Sequence, residues 1–197
     1  MLHFSANANQ RGVLHYLSRN PKLYKAEVTA VGSSRHENHM NWGYGDVILD
    51  QKNTINSRDC WCSKNNPYQY VDITFKIHYV RAEAFSIKGV YDSSYVINNF
   101  TLQASNSSDN FVDIYKHDGS NLSVGVPNVF TCQNVNTYNH FRIKLLGEVS
   151  NPTAWHFIIC SVEFFGYFTD LSLYPTCFVR RRIIRCNVLI YFILLSV

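Results

Sequence analysis

Hydrophobic and polar positions alternate most cleanly at residues 70–75, where Val71, Ile73 and Phe75 fall on one side and Tyr70, Asp72 and Thr74 on the other. A period of two predicts a half-buried antiparallel strand. Short apolar runs at 27–31, 82–90, 100–104, 111–115 and 129–132 predict further strands, separated by turns of Ser, Asn, Asp and Gly. Such runs recurring at about ten-residue intervals are the pattern of a sandwich or barrel. The most informative stretch is 141–166. Its apolar runs at 141–146 and 157–165, too short and too β-branched and aromatic for helices, predict two strands around a polar excursion at 147–154. In the second run both parities are apolar: Phe157, Ile159 and Phe165 share one face, and Ile158, Cys160, Val162 and Phe164 the other. That run is expected to lie between two layers, with the 141–146 strand as its inner neighbour.

Toward the N-terminus the pattern is weaker. The run GVLHYL at 12–17 reads as a helical turn or a docked extended segment, ended by Asn20-Pro21. Residues 32–45 read as a loop, unusual in being aromatic as well as polar, and Val47 to Leu49 with the 50–60 segment is expected to return to the sheet. No internal repeat or heptad is visible.

Composition narrows the class. A chain of 197 residues suits one well-buried domain. Thirteen Phe and thirteen Tyr beside two Met favour aromatic-rich β structure. The formal charge of +4 is matched by Arg180, Arg181, Arg182 and Arg185 alone, leaving the rest near neutral and without the basic footprint of a nucleic-acid binder. Of six cysteines none precedes Cys60; Cys60 and Cys62 are too close to bridge each other, and Cys160 reads as a free thiol in an apolar strand. The first residues lack a signal-peptide pattern, and the sequons at Asn99, Asn106 and Asn121 are no more than chance supplies in an Asn-rich chain. The expectation is a reduced, cytoplasmic protein. The apolar end Val188–Val197 falls short of the roughly twenty residues a bilayer span needs, and Arg185 blocks its extension, so membrane anchoring is disfavoured.

The ordered segments EVTAVGSS, CWCSKNNPYQYVDITF, AFSIKGVY, NNFTLQASNSSDNFVDI and FRIKLLG with SVEFFG resemble the discoidin, or coagulation factor 5/8 type C, domain. The similarity is greatest to the intracellular protist branch often found C-terminal to BTB/POZ domains. It implies an all-β, eight-stranded antiparallel jelly-roll sandwich of the galactose-binding type, with no catalytic residues and a ligand taken by loops at one end. The domain is expected over 12–168, with a flank at 1–11 and a basic, apolar tail at 169–197 outside it.

Candidate chemistry follows. Trp42, Tyr44 and Trp61 stand near His36, Arg58 and Asn65, pairing aromatic faces that stack on a sugar or clamp a peptide with donors that read hydroxyls or carbonyls. For Trp61, a plain core role competes with this one. Glu163 shares a parity with Phe157 and Ile159, so its carboxylate needs compensation. A hydrogen-bonded or Arg-paired carboxylate, with Arg142 at hand, competes with a structural calcium shared with Asp50, which some family members would imply. Enzyme motifs fail: the histidines of HENH are three apart rather than four, Cys60-x-Cys62 lacks companion zinc ligands, and no nucleophile elbow or phosphate loop exists. The expected function is a non-catalytic module binding a protein or carbohydrate, the rival being a scaffold domain that docks through a sandwich face.

Overall fold

The computed structural model describes residues 1–6, 11–37, 42–49, 59–107, 109–120, 122–134, 136–147, 149, 155–169, 178–179 and 182–183. In chain order the elements are β1 (Leu2–Phe4), α1 (Val13–Ser18), α2 (Pro21–Glu27), β2 (Val28–Gly32), β3 (Trp61–Cys62), β4 (Tyr70–Phe75), β5 (Val80–Lys88), β6 (Asn99–Ser105), β7 (Val112–Asp118), β8 (Pro127–Thr131), β9 (His140–Leu145), β10 (Ile158–Ile159) and β11 (Ser161–Phe168). β12 (Phe178–Val179) and β13 (Arg182–Ile183) pair with each other. One sheet runs β2-β4-β9-β6-β7 and the facing sheet β1-β11-β5-β8; β3 and β10 form a small ladder of their own. All these pairings are antiparallel. Eight of the main strands meet the jelly-roll expectation, and β1, in the stretch read as a flank, adds an edge strand against β11.

Alternating side chains from the two sheets meet between them. Phe164 of β11 lies 4.6 Å, centroid to centroid, from Phe141 of β9 and 6.2 Å from Phe75 of β4. A second group joins Phe85, Phe100, Phe130 and Tyr115 at 5.1–6.3 Å. Burying each phenylalanine contributes about 1.5–3 kcal/mol of hydrophobic stabilisation, and tilted or edge contacts add to it.

The stretch 141–166 departs from its sequence reading in two ways. β9 and β11 are both inner strands, but they belong to opposite sheets and face each other across the core rather than pairing. The apolar run 157–165 is also two strands. Phe157 and Ile159 point into the main core, and so do Val162 and Phe164, while Ile158 and Cys160 pack in a separate cluster. The parity therefore changes where the chain leaves β10 for β11, and a strict period of two could not register it. Further on, burial of both faces of β11 comes from the facing sheet on one side and α1 on the other.

Glu163 shows how α1 is held. Its Oε1 accepts from the N–H of Leu14 at 2.7 Å and of Phe164 at 2.9 Å, and its Oε2 from the N–H of His15 at 2.8 Å. A carboxylate on the first turn of a helix satisfies donors that lack an intrahelical partner. Gly12 permits the approach, since a Cβ there would lie 2.2 Å from the Phe164 carbonyl oxygen and 2.7 Å from the Glu163 carboxyl carbon. Burial pushes the Glu163 pKa up to about 7, against the backbone donors that pull it down. Oxygens ringed by N–H donors do not suit a cation, so the calcium role weighed for Glu163 is corrected to a helix anchor; its proposed partner Asp50 lies outside the described residues. Arg142 is engaged elsewhere, on Asp72.

Three further expectations change. GVLHYL settles as the helix α1, which ends at Ser18 ahead of Asn20-Pro21 as expected, but Pro21 also opens a second helix, α2, at the position where its missing N–H costs nothing. Val47 to Leu49 is part of a 3-10 turn, Gly45–Leu49, rather than a strand. Cys160 is not a free thiol: it is bridged to Cys60, a hundred positions away. The β3–β10 ladder sets Cys62 opposite Ile158 and Trp61 opposite Ile159, which carries the adjoining Cys60 and Cys160 together. The bridge removes the support that unbridged cysteines lent to a reduced compartment. No helix among the described residues is long and apolar enough to cross a membrane, and the apolar end Val188–Val197 lies outside them.

Candidate functional site

Beyond the last residues of β2, β5 and β9 the chain forms loops at one end of the sandwich, and the short β3–β10 ladder ties them together. The His36 N–H donates to the Cys62 carbonyl at 2.8 Å and the Gly43 N–H to the Cys60 carbonyl at 2.9 Å. On the other strand, the Ser63 N–H donates to the Phe157 carbonyl at 3.1 Å, and the Phe157 N–H returns to Ser63 Oγ at 2.9 Å. The Asn65 side-chain oxygen takes the Trp155 N–H at 2.6 Å. The Cys60–Cys160 bridge lies in this ladder's small core with Cys62 and Ile158, and Trp42, Val90 and Tyr95 pack against it.

Above that core the rings form a connected set. His36 lies 5.0 Å from His156 and 6.4 Å from Trp42, and His156 lies 5.9 Å from Tyr95. Trp42, His36, His156 and Tyr95 are all half-buried, each with part of its surface in solvent. Burial, and then the neighbouring charge of His156, hold the His36 pKa below its ordinary value. At neutral pH His36 is therefore a neutral imidazole, able to offer one donor and one acceptor.

Two exposed arms flank the set. On one, the Arg35 guanidinium lies 3.7 Å from the Tyr44 ring centroid and donates to the Trp42 carbonyl, so a charged donor is fixed beside a ring that is 68% exposed. A cleft of about 820 Å³ opens below, lined by Tyr44, Arg35, Asp46, Lys25, Leu49 and the edge of β2 among others. On the other arm Tyr68, at φ +61°, sets its exposed ring 6.2 Å from Trp155.

The structure thus gathers His36, Trp42, Tyr44 and Asn65 at one end. It does not expose Trp61, which is 1% accessible, edge-on to Phe157 at 5.8 Å and donating through Nε1 to the Ser34 carbonyl at 2.9 Å. Gly32 makes room for that indole; a Cβ there would sit 2.3 Å from it. Trp61 therefore has the core role weighed against a stacking one. Arg58 lies outside the described residues. Sequence reasoning missed Arg35, Tyr68, Tyr95, Trp155 and His156. Arg35 adjoins His36 and Tyr68 lies three positions after Asn65, whereas Tyr95 and the Trp155–His156 pair come from distant loops that only the fold brings near.

Reactive chemistry is poorly served here. Burial pushes the Cys62 thiol up to about 12, leaving it protonated and inert at neutral pH. Among the described residues no three His, Cys, Asp or Glu side chains gather as metal ligands would. What the loop end provides is flat apolar rings with fixed hydrogen-bonding groups beside them.

No protein-family model and no curated protein matches the sequence. Solved structures do. The chain is similar to CpGH89CBM32-5 from Clostridium perfringens, a CBM32 module solved with GalNAc-β-1,3-galactose: TM-score 0.58, 15% identity, 72% of this chain and 96% of that one. It is similar to an F-lectin (fucolectin) from striped bass (Morone saxatilis) serum, with TM-score 0.58 and 15% identity over 72% of this chain and 47% of that one. The family 89 glycoside hydrolase of Clostridium perfringens matches at TM-score 0.55 and 21% identity over 71% of this chain, but the match spans only 14% of the hydrolase. These likenesses establish the fold: an antiparallel β-sandwich of the galactose-binding-like type.

Proposed function

We propose that the chain is a non-catalytic module that binds a carbohydrate through the loops at this end of the sandwich, with Trp42 and Tyr44 as stacking surfaces and His36, Arg35 and Asn65 as hydrogen-bonding groups. The observation that carries the reading is the pairing of exposed rings with fixed polar groups in a loop anchored from beneath by the β3–β10 ladder. Sugars present an apolar face and a rim of hydroxyls, and this arrangement complements both. The likeness to a module solved with GalNAc-β-1,3-galactose and to a fucolectin supports a glycan over a protein ligand. The ordered motifs between Glu27 and Gly166 support kinship with the discoidin domains, including their intracellular protist branch. The working unit in this reading is residues 12–168 with β1 added.

Screening the full chain on an array of neutral oligosaccharides, followed by titration calorimetry of the best binder, tests the reading. Trp42→Ala should weaken binding about tenfold or more, roughly 1.4 kcal/mol, without moving the melting temperature by more than a few degrees. Unchanged binding in a Trp42→Ala, Tyr44→Ala double variant, or no glycan bound at all, would sink it.

A further inference from the structure

Side chains on the outer face of the five-stranded sheet are arranged in rows across the strands, and two adjacent rows differ in kind. One row runs Asp72, Arg142, Gln103, Asp113. It is internally satisfied: Arg142 Nε and Nη2 donate to the two Asp72 carboxylate oxygens at 2.7 and 2.8 Å, and Gln103 Nε2 donates to Asp113 Oδ1 at 2.8 Å. The next row, one step closer to the loop end, runs Tyr70, Lys144, Thr101, Lys116. It holds two cations and no acid, and neither lysine has a carboxylate partner among the described residues. Two strand spacings separate them, about 10 Å.

Aromatic rings lie along the same line. Lys144 Nζ is 5.9 Å from the Tyr68 ring centroid, Tyr68 adjoins Trp155, and Arg142 is stacked between Tyr70 at 4.0 Å and Phe111 at 4.2 Å. Tyr68 is 62% exposed and is held with its backbone in the left-handed region, an arrangement that costs energy for a bulky side chain. Together these residues make a strip that starts among the loops and continues over the sheet, with rings for sugar faces and free ammonium groups for negative charge.

We propose that this strip extends the loop site and that the ligand is an anionic glycan, carrying carboxylates or sulfates that Lys144 and Lys116 meet while Tyr68 and Trp155 stack on its rings. The inference rests on the carbohydrate reading above and names the class of sugar. Exposed rings beside the lysines favour a glycan over an acidic peptide, which would need the charges alone. Because the lysines lie at the surface, their share of the affinity falls as salt rises.

The test is titration calorimetry on the full chain, at low and at physiological salt, with four probes: a galacturonan hexamer, a heparin hexasaccharide, a neutral galactan hexamer and a short poly-glutamate. One or both anionic sugars should bind about tenfold or more tighter than galactan, and the two arms tell carboxylate from sulfate recognition. A Lys144→Gln, Lys116→Gln double variant should erase that preference while leaving galactan binding and the melting temperature unchanged, and Lys144→Arg should retain it. Equal binding of galactan and both anionic sugars, a preference that survives the double variant, or poly-glutamate binding as tightly as the sugars would each overturn the inference while leaving the loop site standing. Failure of both anionic sugars to bind would overturn the inference, and the loop-site reading falls with it only if the oligosaccharide array is also blank.

Discussion

Where β4 turns into β5, His78 is buried, its Nδ1 2.8 Å from Glu27 Oε1 and its ring stacked on Phe168 at 4.8 Å. At the opposite end His36 is half-exposed among Trp42 and His156. The residue types are alike; their commitments are not. At the first end Glu27 also accepts the Ile77 N–H at 2.7 Å, so its acid, imidazole and ring are all consumed in closing the sandwich, as Glu163 is consumed in seating α1. At the second end the backbone is tied down while the side chains keep surface for a ligand. The contrast teaches that in this fold the polar residues under the helices serve stability, while the rings over the β3–β10 ladder keep part of their surface in solvent, as the proposed recognition role requires.

Substitutions can break or sharpen that division. The largest effect is expected in the shared core: Phe164→Ala, which leaves Phe75 and Phe141 without their partner, should cost about 3–5 kcal/mol in chemical denaturation. Removing the Cys60–Cys160 bridge by Cys60→Ser should cost about 2–5 kcal/mol. It should also loosen the loop end, seen as faster hydrogen exchange at the Gly43 N–H, which donates to Cys60. Unchanged exchange there would show that the loops hold their shape without the ladder.

A smaller effect, visible in its pH dependence, belongs to Glu163. Its folded pKa of about 7 lies above the ordinary carboxylate value of 4.5. The protonated form is thus favoured by folding, and stability from this group is full below about pH 4.5 and lost as pH rises through about 7. Between pH 5 and 8 the wild-type melting temperature should therefore fall more steeply than that of Glu163→Gln; parallel curves would refute the buried-acid account. The smallest effect on stability, within about 0.5 kcal/mol, is expected for Tyr44→Ala at the loop end. A loss of several kcal/mol there would mean that the exposed ring belongs to the fold after all.

Much of the architecture was legible because sheets advertise themselves by alternation. β4 spans the residues that the period of two marked, and β2, β5, β6, β7, β8 and β9 lie within a few residues of their apolar runs. What alternation cannot encode is where parity changes or which sheet a strand joins. By alternation alone 157–165 reads as one strand, and β9 and β11 read as neighbours, although they lie in opposite sheets. The helix α2 was hidden behind Pro21, whose role as a helix opener looks the same in sequence as its role as a breaker. For the candidate site, composition singled out the 32–45 loop through His36, Trp42 and Tyr44, since aromatic residues in a polar stretch have few structural reasons to be there, and the fold sets His36 and Trp42 beside His156. Trp61 fitted the same pattern and went inward, because Gly32 leaves a slot for its indole that no local signal marks. Trp155 and His156 were invisible for the reason the disulfide was: their partners are some ninety to a hundred positions away, and only the ladder introduces them.

The edge strand β1 bears on how such a module could be displayed. Leu2 lies opposite Phe168, so the first and last strands of the sandwich meet side by side, at the end away from the His36–Trp42 loop. A unit joined directly before Leu2 or directly after Phe168 would therefore hold the sandwich by this edge and leave the loop end pointing outward, whichever of the two points is chosen for coupling.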